Sequence, residues 1–143
     1  MRLEPTVAEI MTPNPEVVAP GDRLQQAAQE MELRYIRHLP VVDASGALCG
    51  LLSERDLHAA DERLRVRDVM AADVKTVTSQ TPAYEAAYLI LRDKIGCLPV
   101  VSDVGRLVGI VTESDFVRLA YTMLGGRVPI DELELEEDQA ERV

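Results

Sequence analysis

Two short segments carry the residues most able to do chemistry. In GLLSERD (50–56) and GIVTESD (109–115) a hydroxyl stands three residues ahead of a carboxylate, directly after a glycine and an aliphatic run. Ser53 with Asp56, and Thr112 with Asp115, thus offer an ionised acceptor for paired hydroxyl donors, the stronger kind of hydrogen bond. A helix starting at the hydroxyl would add free amide hydrogens and a positive dipole end for an anion. The same Ser/Thr-x-x-Asp spacing is also what a helix needs merely to begin, as a capping box. Both readings stand on the motif alone. Arg37 and His38 supply cations ahead of the first Leu-Pro pair, where the second unit has Gly96 and Cys97. Two such sites should therefore differ in charge. Ser/His/Asp and Cys/His constellations, a Walker loop and GxGxxG are all missing, and the two carboxylates fall in equivalent places instead of flanking one bond, so the expectation is not an enzyme.

The elements that must position these residues come from a tandem duplication. Residues 7–60 overlie residues 66–119 at a constant offset of 59 without a gap. Matches include Val7/Val66, Met11/Met70, Val18/Val77, Ile36/Ile95, LPVV at 39–42 and 98–101, Gly46/Gly105, Gly50/Gly109, Glu54/Glu113 and Asp56/Asp115. Each repeat reads as strand, helix, strand, strand, helix. Asp22 with Gln25 is expected to cap a helix burying Leu24, Ala27, Ala28, Met31 and Tyr35. Its counterpart starts at Thr81, with Pro82 at the first helical position, and buries Ala83, Ala86, Ala87 and Ile90. The turns DASG and SDVG join aliphatic strands into hairpins whose second strands, apolar nearly throughout, suit burial on both faces. A unit of this size buries too little apolar surface alone. The two should pack about a pseudo-two-fold axis as an α/β fold (α+β by some schemes), with two equivalent clefts where matching edges meet. The division is 7–60, a linker at 61–65, 66–120, and an acidic tail over 121–143.

Composition sets the limits. The chain has 143 residues, 47% hydrophobic and 28% charged, but only 3% aromatic with no Trp, so its core must be aliphatic and stacking of bases on aromatic platforms is not expected. A formal charge of −10 would repel a phosphate backbone, which argues against nucleic acid. Residues 127–143 hold seven acids against Arg127 and Arg142, and such blocks are more often solvated ends than contact elements. No apolar run approaches a membrane span and the N-terminus lacks the pattern of a signal peptide, so the expectation is a cytoplasmic protein with no membrane association. Cys49 and Cys97 lack CxxC spacing or a nearby His pair. They read as small buried hydrophobes in a reducing compartment, with no metal site. Met11 and Met70 read as helix-end core residues, and His58 as surface.

With these residues in view, the chain resembles the CBS (cystathionine-beta-synthase) domain pair, or Bateman module, over about residues 7–120. The resemblance rests on the doubled VAEIM and VRDVM, the doubled LPVV, and the doubled Gly-hydrophobic-hydrophobic-Ser/Thr-x-x-Asp. It implies adenosine binding in the cleft between the repeats: Asp56 and Asp115 accepting from ribose hydroxyls, Ser53 and Thr112 near ribose and first phosphate, Leu51 and Ile110 among the aliphatic residues about the adenine. Arg37 and His38 match a place that in some members is basic and reaches phosphate; left out of a site, they are simply exposed. The implied function is a regulatory sensor of AMP, ADP, ATP or S-adenosylmethionine, with no required cofactor although Mg could accompany a polyphosphate. The few cations in sight favour AMP, ADP or a less charged adenosine compound over free ATP. A homodimer, and a separate effector enzyme or transporter, are the implied partners. The alternative is a ligand-free structural or dimerisation adaptor.

Overall fold

The computed structural model describes residues 4–58, 60–61 and 63–127. The first repeat supplies α1 (Val7–Ile10), β1 (Thr12–Pro13), α2 (Leu24–Arg34), β2 (His38–Val42), β3 (Leu48–Ser53) and α3 (Glu54–His58). The second supplies α4 (Val66–Val69), α5 (Ala83–Asp93), β4 (Cys97–Val101), β5 (Leu107–Thr112) and α6 (Glu113–Met123). The fold is α/β, with hairpin β2-β3 forming one sheet and β1-β5-β4 the other. Of the tail expected over 121–143, residues 121–123 continue α6, and residues 128–143 lie outside the described residues.

The hairpins form where expected. Gly46 and Gly105 close their turns at φ 86° and 82°, a left-handed conformation that other residues adopt only with strain. Asp43 Oδ1 ties the first turn by accepting from the Ser45 and Ala47 amides at 2.8 and 3.1 Å. In both hairpins the ladder slips by one residue at the same place, between Val41 and Val42 and between Val100 and Val101.

Other local expectations give way. Neither repeat opens on a proper strand: each starts with a four-residue helix, followed by the two residues of β1 or by the single bridge from Ala71 to Leu51. Pro13 has no N–H to donate, which helps confine β1 to two residues. Asp22 does not cap α2. Its Oδ2 accepts from the Ala19 amide at 2.9 Å, closing the preceding turn, while Gln26, not Gln25, reaches back to the Arg23 amide at 3.4 Å. Thr81 closes the matching turn through the Thr78 amide at 3.1 Å, and Pro82 takes the N-cap of α5. Tyr35 is no core residue: at φ 56° it ends α2 and is exposed. Ala28 and Ala87 are only half-buried.

The opening helices are exchanged between the repeats. Val7 and Ala8 donate their amides to Thr81 and Ser79 of the second repeat at 2.8 and 3.0 Å, and Ala83 donates to Pro5 at 2.8 Å. Reciprocally, Val66 and Arg67 donate to Asp22 and Pro20 of the first repeat, both at 2.9 Å, and Leu24 donates to Leu64 at 2.9 Å. Each core is accordingly mixed. Val66 sits fully buried among Val18, Leu24, Ala27, Met31, Leu39, Val41 and Leu52, and Val7 among Val77, Ala86, Ile90, Leu98, Val100 and Val111. At the far end the turns pair across the pseudo-two-fold, Leu48 N–H to Gly105 O and Leu107 N–H to Gly46 O, each 3.1 Å.

This exchange explains the glycine of each GLLS/GIVT motif. A Cβ on Gly50 would lie 2.6 Å from Met70 Sδ and 2.7 Å from Ala71 O, and one on Gly109 would lie 2.5 Å from Met11 Sδ. The methionines seal the exchanged segment onto the strand, a packing role in line with the sequence reading.

Candidate functional site

Because α4 docks on the first repeat, the segment after it runs past the end of β3. A cleft of about 790 Å³ forms there, within the usual range for small-molecule sites. One wall carries Leu51, Ser53, Arg55, Asp56 and His58 of the first repeat; the other carries Ala71, Asp73, Val74 and Lys75 of the second. Arg37, His38 and Glu54 meet Lys94, Ile95, Gly96, Cys97 and Glu113 where the repeats adjoin.

Asp56 is poised between two roles. Its Oδ2 accepts from the Ser53 amide at 2.8 Å and its own amide donates to Ser53 Oγ at 3.3 Å, so the capping box is formed. Oδ1 has no partner among the described residues, which leaves a carboxylate oxygen for a ligand. The capping and binding readings are therefore compatible. The start of α3 has less to offer an anion. The Glu54 amide is given to Arg37 O at 2.8 Å, the Asp56 amide to Ser53, and two acids sit in a helix of five residues. The cationic groups at the cleft are side chains.

Those side chains are more numerous than the sequence suggested. Arg37, Arg55, Lys75 and Lys94 all line the cleft, against Glu54, Asp56, Asp73 and Glu113, so its formal charge is balanced in a chain that is strongly acidic overall. Arg37 reaches Glu54 at 3.8 Å and Lys75 reaches Asp93 at 3.9 Å, whereas Arg55 and Lys94 have no ion-pair partner among the described residues. His38 differs from expectation. Burial pushes its pKa below the ordinary 6.5, outweighing the nearby Glu113, which disfavours its charged form as a second cation beside Arg37. Its ring rests against Gly96, where a Cβ would lie 2.8 Å from Cε1, so Gly96 makes room for it. Cys97, behind it, is buried, and desolvation pushes its thiol up to about 12.

Of the residues singled out from sequence, Arg37, His38, Leu51, Ser53 and Asp56 converge on this cleft, whereas Ile110, Thr112 and Asp115 do not line it. Arg37 and His38 thus line the same cleft as Asp56. His58 is exposed, as expected, yet it borders the cleft and lies 3.6 Å from Glu54. Asp73 and Lys75 went unnoticed because their seat beside the first repeat follows from the exchange, and Lys94 because it enters only where the repeats adjoin. Glu113, by contrast, was visible as the repeat partner of Glu54. Among the described residues no group of three or more His, Cys, Asp or Glu side chains is placed to hold a metal ion, and no helix is long and apolar enough to cross a membrane.

The family model for the CBS domain matches the chain twice, over residues 7–63 and 66–121. The chain belongs to the CBS domain family. Among solved structures, CBSX2 in complex with AMP is 32% identical with a TM-score of 0.78, covering 83% of this chain and 98% of that one. The CBS domain pair of protein MJ0100, in complex with 5′-methylthioadenosine and S-adenosyl-L-methionine, is 29% identical with a TM-score of 0.77, covering 84% and 98%. Inosine-5′-monophosphate dehydrogenase from Methanocaldococcus jannaschii is 33% identical over 111 residues, 77% of this chain and 22% of that protein. The chain thus spans about a fifth of the length of the first curated relatives it matches.

Proposed function

We propose that the chain is a regulatory module that senses an adenosine-containing ligand, AMP, ADP, ATP or S-adenosylmethionine, in the Asp56 cleft. The observation that carries this is Asp56 itself, one oxygen committed to the cap and the other without a partner, in a cleft shared by both repeats. Asp56 takes the ribose hydroxyls, Ser53 lies next to them, and Leu51, Val74 and Ile95 give the adenine aliphatic walls. Arg37, Arg55, Lys75 and Lys94 suit one or more phosphates, with Mg as a companion for the longer ones, which removes the earlier argument against ATP.

A ligand gripping both repeats biases their relative packing by its differential affinity for the two arrangements. The function is regulation without catalysis, in the cytoplasm, passed to an effector enzyme or transporter. Similarity to part of a dehydrogenase and to ligand-bound CBS pairs supports that reading. Self-association as a homodimer is supported by α5, whose Tyr84, Tyr88 and Leu91 stand 70%, 56% and 77% exposed at helical spacing. The matching residues of α2 are Gln25, Gln29 and Glu32.

Thermal unfolding with AMP, ADP, ATP and S-adenosylmethionine tests the proposal. A ligand at a hundred times its dissociation constant adds about 2.7 kcal/mol of stability. No shift with any of them would leave the ligand-free adaptor.

A further inference from the structure

The sequence repeats the Asp motif in both halves, but the structure treats the two carboxylates differently. Asp115 Oδ2 accepts from the Thr112 amide at 2.7 Å, as Asp56 Oδ2 does from Ser53. Its second oxygen is also taken: Arg118 Nη1 donates to Oδ1 at 3.0 Å, one turn along α6. The Asp115 side chain is 6% exposed, whereas Asp56 is only half-buried. The first repeat has Ala59 where the second has Arg118, so it has no side chain able to make the equivalent bond.

Charge divides the two loci in the same direction. Through the offset of 59, Arg55, Lys75 and Lys94 of the cleft correspond to Ser114, Glu16 and Tyr35. Three cations become two neutral residues and an acid, and Glu16 is itself paired to Arg34 at 3.1 Å. The locus beside Asp115 therefore has both acceptor oxygens engaged and lacks counterparts of Arg55, Lys75 and Lys94, keeping Arg37 as the counterpart of Gly96.

We infer that the chain binds one anionic adenosine ligand, in the Asp56 cleft, and that Arg118 holds the matching locus at Asp115 shut. Arg118 thereby sets the stoichiometry. The inference rests on the functional reading above, with a separate point of failure. The test is isothermal titration of the full chain with AMP, and with adenosine, which needs no phosphate cations. Wild type takes one equivalent of AMP, and Asp56→Asn loses it by at least tenfold in affinity. Arg118→Ala, at a side chain 38% exposed, takes a second equivalent of adenosine that wild type does not. Two equivalents of AMP in wild type, full affinity in Asp56→Asn, or a single equivalent of adenosine in folded Arg118→Ala would each overturn the inference. The first two titrations decide it even if Arg118→Ala fails to fold. No heat with any adenosine compound would instead overturn the functional reading itself.

Discussion

Replacing Gly50 by alanine tests the link between the exchanged segment and the cleft. The new Cβ would stand 2.6 Å from Met70 Sδ and 2.7 Å from Ala71 O. The thioether can swing away at small cost, but the carbonyl belongs to backbone. It accepts from the Leu51 amide at 2.9 Å, and the Ala71 amide returns a bond to Leu51 O at 3.0 Å. Moving that segment combines overpacking, about 1–3 kcal/mol, with the weakening of two hydrogen bonds of about 1 kcal/mol each, so about 2–4 kcal/mol is expected. At about 4 °C per kcal/mol for a chain of this size, Tm should fall by about 8–16 °C. Urea unfolding of Gly50→Ala beside Gly46→Ala checks the cause. Gly46 has positive φ and nothing within 4 Å of a built Cβ, so its substitution carries only backbone strain, about 1–2 kcal/mol. Since Ala71 lines the cleft, Gly50→Ala should also weaken AMP, and Gly46→Ala should not. A smaller stability loss at Gly50 than at Gly46 would refute the steric account.

Further outcomes follow from the same geometry. His38, with its folded pKa below 6.5, is protonated more readily in the unfolded chain, so stability is complete above about pH 6.5 and declines as pH falls through that value. His38→Gln should flatten that decline in urea titrations across the acidic range; an unchanged slope would show the ring is not the cause. Cys97, buried with its thiol held near 12, should resist iodoacetamide in the native chain, while half-buried Cys49 reacts first; mass spectrometry of the labelled peptides reads the order. Tyr88→Glu together with Leu91→Glu on α5 should shift the sedimentation coefficient to that of a monomer, and a monomeric wild type would remove the dimer from the proposal.

The gapless repeat was legible because the sequence overlies itself at one constant offset, and the doubled LPVV hairpins and the two capping boxes because each is fixed by residues a few positions apart. Turn closure by Asp22 and the left-handed end of α2 at Tyr35 were not, since several local bonds compete there and the backbone settles the choice. Half of the site was legible for the same reason: Ser53 and Asp56 lie within one turn. Lys75 reaches the cleft because α4 crosses to the other repeat, and Lys94 because the end of α5 meets the first repeat, long-range events with no local signature. The second motif shows the same limit of local spacing. Asp115 has the right spacing, but Arg118, three residues further on and unmatched in the first repeat, takes the oxygen that the motif offers.

The crossing of the opening helices has one more consequence. A single repeat, taken alone, would carry an unseated helix and an empty seat for one, each shaped for the other but unable to meet within the same short chain. Only a second copy could complete it, by trading helices at whatever concentration the solution provides. Joining the copies through residues 61–65 replaces that search with an effective concentration on the order of millimolar. Duplication on one chain thereby turns an obligatory encounter into an internal one, and leaves two halves that must fold, and unfold, together.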